Sequence, residues 1–163
     1  MPDVPLPFTR EEYATRLAKV RSAMDRAGLE VLIATDPSNM AWLTGYDGWS
    51  FYTHQAVIVT HEGEPTWWGR LMDSVGAART VYMDETSIVG YPDDFVQSTE
   101  IHPHQHLAEH LEIRDLGSAR VGVEMDNYYY SAAAHAHFTE GLGDATVLDA
   151  TGLVNWQRAV KSE

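Results

Sequence analysis

The chain contains no cysteine. Disulfides, thiolate metal sites and thiol nucleophiles are thereby excluded, and the composition fits a reducing compartment. Basic residues are scarce: 11 Lys and Arg stand against 24 Asp and Glu, for a net charge of -13. A chain of that charge repels phosphate backbones and anionic lipid, which argues against nucleic-acid and membrane partners. The acids are scattered rather than blocked, which reads as a solubilising surface, with attraction of a cationic ligand as the functional alternative. No apolar run approaches the length that spans a bilayer. The opening "MPDVPLPF" has neither the basic nor the apolar region of a signal peptide, so a cytoplasmic protein is expected. The P-loop, the G-x-G-x-x-G fingerprint and the G-x-S-x-G elbow are all missing. "HEGEP" (61–65) starts like a zinc-protease motif but carries Pro65 where a second His is required, in a stretch that reads as a turn.

What is present suits one ordinary domain: 163 residues, 44% hydrophobic. Thr9 and Glu12 have capping-box spacing, with Phe8 placed as a staple. Tyr13, Leu17, Val20 and Met24 then form one apolar helical face that Gly28 ends. "EVLIAT" (30–35) reads as a buried strand, "DPSNM" (36–40) as a turn, and Asn39 to Leu43 as a short helix stopped at Gly45. Residues 55–70 read as a hairpin, with its turn over Glu62 to Pro65. A helix is expected within 72–80, a strand over 87–91, and a helix from His104 to Asp115 that ends near Gly117. Strand 119–125, helix 130–142, strand 145–151 and a last helical segment complete the pattern. Alternating helices and strands predict an α/β domain, and the hairpin makes its sheet mixed, with about six strands flanked by helices.

The segment "NMAWLTGYDGWSFYTHQ" (39–55) concentrates Trp42, Tyr46, Trp49, Phe51 and Tyr52 around Gly45 and Gly48 and ends on His54 and Gln55. It is too broken by glycine to be one helix or one strand, so its aromatics either fold inward or line a site. Trp42 falls in the short helix and is expected to pack. Trp49, Phe51, Tyr52 and His54 are the candidate substrate-binding residues, with packing as the alternative for each. "HPHQHLAEH" (102–110) spaces His102, His106 and His110 one helical turn apart, a spacing that can share a metal. No carboxylate completes that set, however, and His102 precedes Pro103, a helix boundary. His135 and His137 fall on different helix faces. These histidines read as partly exposed helical residues, and no metal ligand is assigned. The pairs Asp93–Asp94 and Glu124–Asp126 lack a partner base, so no catalytic residue is assigned either.

Three motifs in order resemble the creatinase, prolidase and Xaa-Pro aminopeptidase family. They are "R-x-x-x-V-R-x-x-M" (Arg16 to Met24) followed by "EVLIAT", then "NMAWLTGY", and finally "WQRAVKSE" at the end of the chain. The resemblance runs over nearly all of residues 1–163. It implies a creatinase-type N-terminal domain with a ribonuclease H-like motif. The chemistry of this family belongs to a C-terminal pita-bread domain that this chain lacks. Any divalent metal would sit in that missing domain, so no cofactor is expected here. The implied partners are the chain's own catalytic domain, a second subunit in a homodimer, and a small-molecule substrate. Within the family, "GYDGWSFYTHQ" is most similar to the branch of ectoine hydrolases, which open the ring of a small zwitterionic solute. An Xaa-Pro peptidase N-terminal domain and a stand-alone α/β binding module are the alternatives. In creatinase-like dimers the segment after "T/S-G" covers the neighbouring active site, which is the role implied for Tyr46 to His54.

Overall fold

The computed structural model describes residues 5–161. The first four residues of "MPDVPLPF", and Ser162 and Glu163 of "WQRAVKSE", lie outside the described residues. The chain forms α1 (Arg10–Ala27), β1 (Val31–Ala34), α2 (Pro37–Thr44), β2 (Ala56–Thr60) and β3 (Thr66–Arg70). There follow α3 (Ser74–Thr80), β4 (Ile88–Tyr91), α4 (Pro103–Ile113), β5 (Arg120–Val123), α5 (Ala132–Gly141), β6 (Thr146–Asp149) and α6 (Leu153–Arg158). The expected fold class holds. Six strands form one mixed sheet in the order β4-β3-β2-β1-β5-β6. The β2–β3 hairpin lies inside it, with β2 antiparallel to β1, while β1, β5 and β6 run parallel.

Local chemistry explains the first helix. The Thr9 hydroxyl accepts the Glu12 N–H, and Gly28 closes α1 in the left-handed region at φ 64. Phe8 meets Tyr13 edge-on at 6.2 Å, the contact a staple makes. Tyr13, Leu17, Val20 and Met24 are all buried against the sheet. One expectation is corrected: "DPSNM" is the start of α2 rather than a turn. Asp36 caps the N–H groups of Ser38 and Asn39, and Pro37 occupies the first helical turn, where its missing N–H costs nothing. Gly45 ends α2 at φ 82, as expected.

The sheet is covered on both faces, so its central strands are apolar throughout. Leu32, Ala34, Val57, Val59 and Trp67 join a core with α1, α2 and α3. Val31, Ile33, Ala56, Ile58 and Trp68 join another with α4 and α5. The adjacent tryptophans of β3 therefore point to opposite faces, as the two-residue strand period requires, and both are fully buried. They anchor the two cores beside the aromatic segment. Trp42, expected to pack, lies half-buried against the core on the α1 side, with the Arg16 guanidinium 5.2 Å from its ring centre.

Candidate functional site

The segment between α2 and β2 leaves the fold at Gly45 and returns at Gln55. Its first residues are pinned. Tyr46 is buried, with its ring 5.3 Å from Trp67. Burial, and next the charge of Asp73, push its hydroxyl up to about 12. A side chain at Gly48 would collide with the Tyr46 ring, the nearest atom lying 2.6 Å from an added Cβ. The far end is pinned too. Ser50 Oγ accepts the N–H groups of Tyr52 and Thr53, and Asp73 accepts from Thr53 Oγ1 at 3.3 Å and Gln55 Nε2 at 3.0 Å. The Tyr91 hydroxyl donates to the His54 carbonyl.

Between these anchors the aromatics stand in solvent. Trp49 is 59% exposed, Phe51 80% and Tyr52 51%. They form a continuous ridge: Trp49 and Phe51 lie 6.1 Å apart, Phe51 and Tyr52 5.2 Å, and Trp49 meets Tyr129 at 6.4 Å. Leu71, Met72 and Val75 are exposed on the segment that follows β3. A cavity of about 460 Å3 opens beneath the ridge, lined by Tyr46, Asp47, Trp49, Tyr52, Gln55 and Asp73, among others. Two carboxylates and three aromatic residues at one cavity suit a delocalised cation. At the cavity's margin Arg70 donates to the Tyr52 hydroxyl at 3.2 Å while holding Asp93 through two hydrogen bonds. Asp93, from one of the carboxylate pairs noted in the sequence, is thus ion-paired with Arg70. Asp47, Asp73 and Arg70 had no local pattern to mark them, because each is recruited from a different element.

The structure separates the fourth candidate from the other three. His54 is half-buried, and its ring lies 4.9 Å from His102 and 4.8 Å from His104. His102 is the N-cap of α4, accepting the His104 N–H through Nδ1, and His137 of α5 stacks on its ring at 4.8 Å and 13°. The cluster that His102 joins includes neither His106 nor His110, although the three are spaced one helical turn apart. His106 instead accepts the Trp68 indole N–H at 3.1 Å. Nor is His104 an exposed helical residue: it is 1% exposed, among Trp68, Tyr130 and Phe138. Burial, then the neighbouring imidazoles His54 and His137, draw His102 down to about 4. Burial, then the imidazoles of His54, His102 and His137, lowers His104 well below its ordinary value, and burial lowers His54 too. His54, His102 and His104 are therefore neutral near pH 7.

Glu124, also singled out in the sequence, has a structural task. Its carboxylate accepts the backbone N–H groups of Thr35 and Asp36 and the Asn39 side-chain amide, joining the end of β5 to the start of α2.

A family model for the creatinase/prolidase N-terminal domain matches residues 16–160. The chain is 55% identical over 163 residues to an ectoine hydrolase of Halomonas elongata, covering 99% of this chain and 41% of that protein. It is 42% identical over 160 residues to an uncharacterized hydrolase/peptidase, y4tM, of Sinorhizobium fredii, covering 97% of this chain and again 41% of the relative. The chain thus spans about two fifths of the length of these curated relatives. Among solved structures, a proline dipeptidase from Streptococcus pneumoniae superposes with a TM-score of 0.71 at 22% identity, over 89% of this chain and 98% of that one. That likeness concerns the fold. Among the described residues, no helix is long and apolar enough to cross a membrane.

Proposed function

This chain belongs to the creatinase/prolidase N-terminal domain family, and from that premise we propose that it is the non-catalytic, substrate-covering part of an ectoine-hydrolase-like enzyme. In this reading a pita-bread catalytic domain performs the hydrolysis, with any divalent metal bound there. The present domain presents its aromatic ridge to the active site of the neighbouring subunit in a cytoplasmic homodimer. The single observation that carries the proposal is the ridge itself. Trp49, Phe51 and Tyr52 are exposed while both ends of their loop are tightly anchored. Three adjacent large aromatics left in solvent mark a surface that another surface or a ligand covers.

The chemistry fits the ligand named by the 55% identical relative. Ectoine carries a delocalised amidinium and a carboxylate. The faces of Trp49 and Tyr52 attract the former, helped by Asp47 and Asp73 at the same cavity. Arg70, paired with Asp93, donates to the Tyr52 hydroxyl and so holds that ring at the cavity. His54 lies outside that cavity, in the histidine cluster behind the loop, and has no substrate contact in this reading.

The test uses the full-length enzyme. Trp49→Ala and Tyr52→Ala are assayed with ectoine, and with an Xaa-Pro dipeptide as the competing substrate class. Loss of one good ligand contact costs about 1–3 kcal/mol, which raises KM or lowers kcat/KM roughly fivefold to 150-fold. A loop variant is then mixed with a subunit inactivated in its catalytic domain, so that hybrid dimers form. Recovered ectoine turnover supports covering in trans. Unchanged kinetics in both variants, or activity on the dipeptide alone, overturns the proposal.

A further inference from the structure

We propose that His54, His102 and His104 form a binding site for a divalent transition-metal ion, zinc foremost, that ties the end of the aromatic loop to the first turn of α4. The three residues come from two segments about 50 positions apart in sequence, yet each offers a ring nitrogen, and these atoms all lie within 4.8 Å of one another. A tetrahedral zinc site with Zn–N bonds near 2.0–2.1 Å holds its nitrogens about 3.3 Å apart. The ligand atoms therefore close by about 1.5 Å at most, on the scale of imidazole rotation about its own side-chain bonds.

The second observation is an unpaid polar group. His104 is 1% exposed, and neither of its ring nitrogens has a hydrogen-bond partner. A neutral imidazole carries one N–H and one lone pair, and burying both without partners is costly. Its rings of contact, Trp68, Tyr130 and Phe138, offer π faces but no lone pair of comparable strength. A metal ion satisfies the His104 lone pair directly. Imidazole donors select zinc, copper, nickel and cobalt over magnesium or calcium, and the absence of thiolates leaves an all-nitrogen protein set.

The surroundings supply the supports such a site uses. The His54 backbone is held in place by the Tyr91 hydroxyl, which donates to its carbonyl at 3.0 Å. His137 stacks flat on His102 and fixes the plane of that ring. Ligation at His102 ends its cap bond to the His104 N–H, because Nδ1 then carries either the ion or the ring proton. One neutral hydrogen bond is exchanged for one metal bond, while the Gln105 side chain still accepts the His102 N–H. Three protein ligands leave a coordination position open. A cleft of about 130 Å3, bordered by Tyr52, His54, Phe95 and His102, lies beside it and can hold water or a small anion there. The proposal does not rest on the identity of the substrate.

The experiment titrates the metal-free, tag-free chain with Co2+, followed by its visible ligand-field bands, and with Zn2+, followed by calorimetry and thermal melting. The expected result is one equivalent bound, a four-coordinate cobalt spectrum, a zinc-dependent rise in melting temperature, and faster hydrogen exchange at the His104 amide. His54→Ala and His102→Asn are the test variants. Asn replaces the His102 cap with the side chain helix starts prefer, so α4 is kept while the ligand goes. Each variant weakens binding by about a hundredfold or more, whereas His61→Ala, at the β2–β3 turn, leaves it unchanged. Circular dichroism of the metal-free variants shows that they fold. No binding by the parent chain, or binding that survives both His54→Ala and His102→Asn, overturns the site.

Discussion

The Glu124 carboxylate accepts the backbone N–H of Asp36 at 2.9 Å, across 88 residues of sequence. The bond fastens the end of β5 to the cap of α2, the helix that launches the aromatic loop. Thr35 N–H and the Asn39 amide complete the set, and Thr35, Asn39 and Glu124 are all buried.

Removing that acceptor strands buried donors. Glu124→Ala is expected to destabilise the domain by about 2–4 kcal/mol, since several N–H groups lose their partner at once. Glu124→Gln costs less, because the amide oxygen still serves Thr35 and Asp36. Urea melts of the two variants check the order.

The same residue produces a pH signature. Burial raises Glu124 above the usual carboxylate range, against the lowering effect of its hydrogen bonds to Asp36, Thr35 and Asn39. Between the ordinary glutamate value and this raised one, the native state keeps a proton that the unfolded chain has lost. The native state thus binds more protons there, so this contribution is fully present below the unfolded value and is lost as pH rises through the folded one. Denaturant midpoints measured across that window are expected to carry this downward component, and in Glu124→Gln it disappears.

The aromatic residues divide by burial. Trp68→Ala is expected to cost about 3–5 kcal/mol, as a fully buried indole whose N–H is also used by His106. Trp42→Ala, half-buried under Arg16, costs clearly less, about 1–2 kcal/mol. Trp49→Ala and Phe51→Ala stay within about 0.5 kcal/mol of the parent, because their rings bury little. Thermal melts that reversed this order would contradict the packing described here.

Gly45 is a position no other residue fills well. It sits at φ 82, and an added Cβ would lie 2.8 Å from the Tyr13 hydroxyl and 3.0 Å from the Thr80 carbonyl. Gly45→Ala is expected to lose about 1–3 kcal/mol through backbone strain and contact. In the full-length enzyme it should also displace the loop, so that KM rises beyond what the loss of stability explains. Kinetics well below the melting transition separate the two effects.

The elements set by neighbouring residues could be read directly from the chain. Thr9, Phe8 and Gly28 act within a turn of α1, and the alternation of Trp67 and Trp68 needs only the period of a strand, so both were legible without a structure. Asp36-Pro37 was ambiguous because the same pair opens a turn or caps a helix, and the tertiary bond from Glu124, 88 residues away, favours the helix. In the aromatic segment the unusual composition was visible, but the division of labour was not. Whether Tyr46 is core and Phe51 is ridge depends on where Trp67 lies and on what leaves Phe51 uncovered. The histidines are the clearest case. Helical spacing suggested His102, His106 and His110, yet the cluster that forms draws on His54 from the loop and leaves His106 to Trp68. Periodicity along one helix says which residues share a face; only the packing of that helix against the sheet and the returning loop decides which side chains meet there.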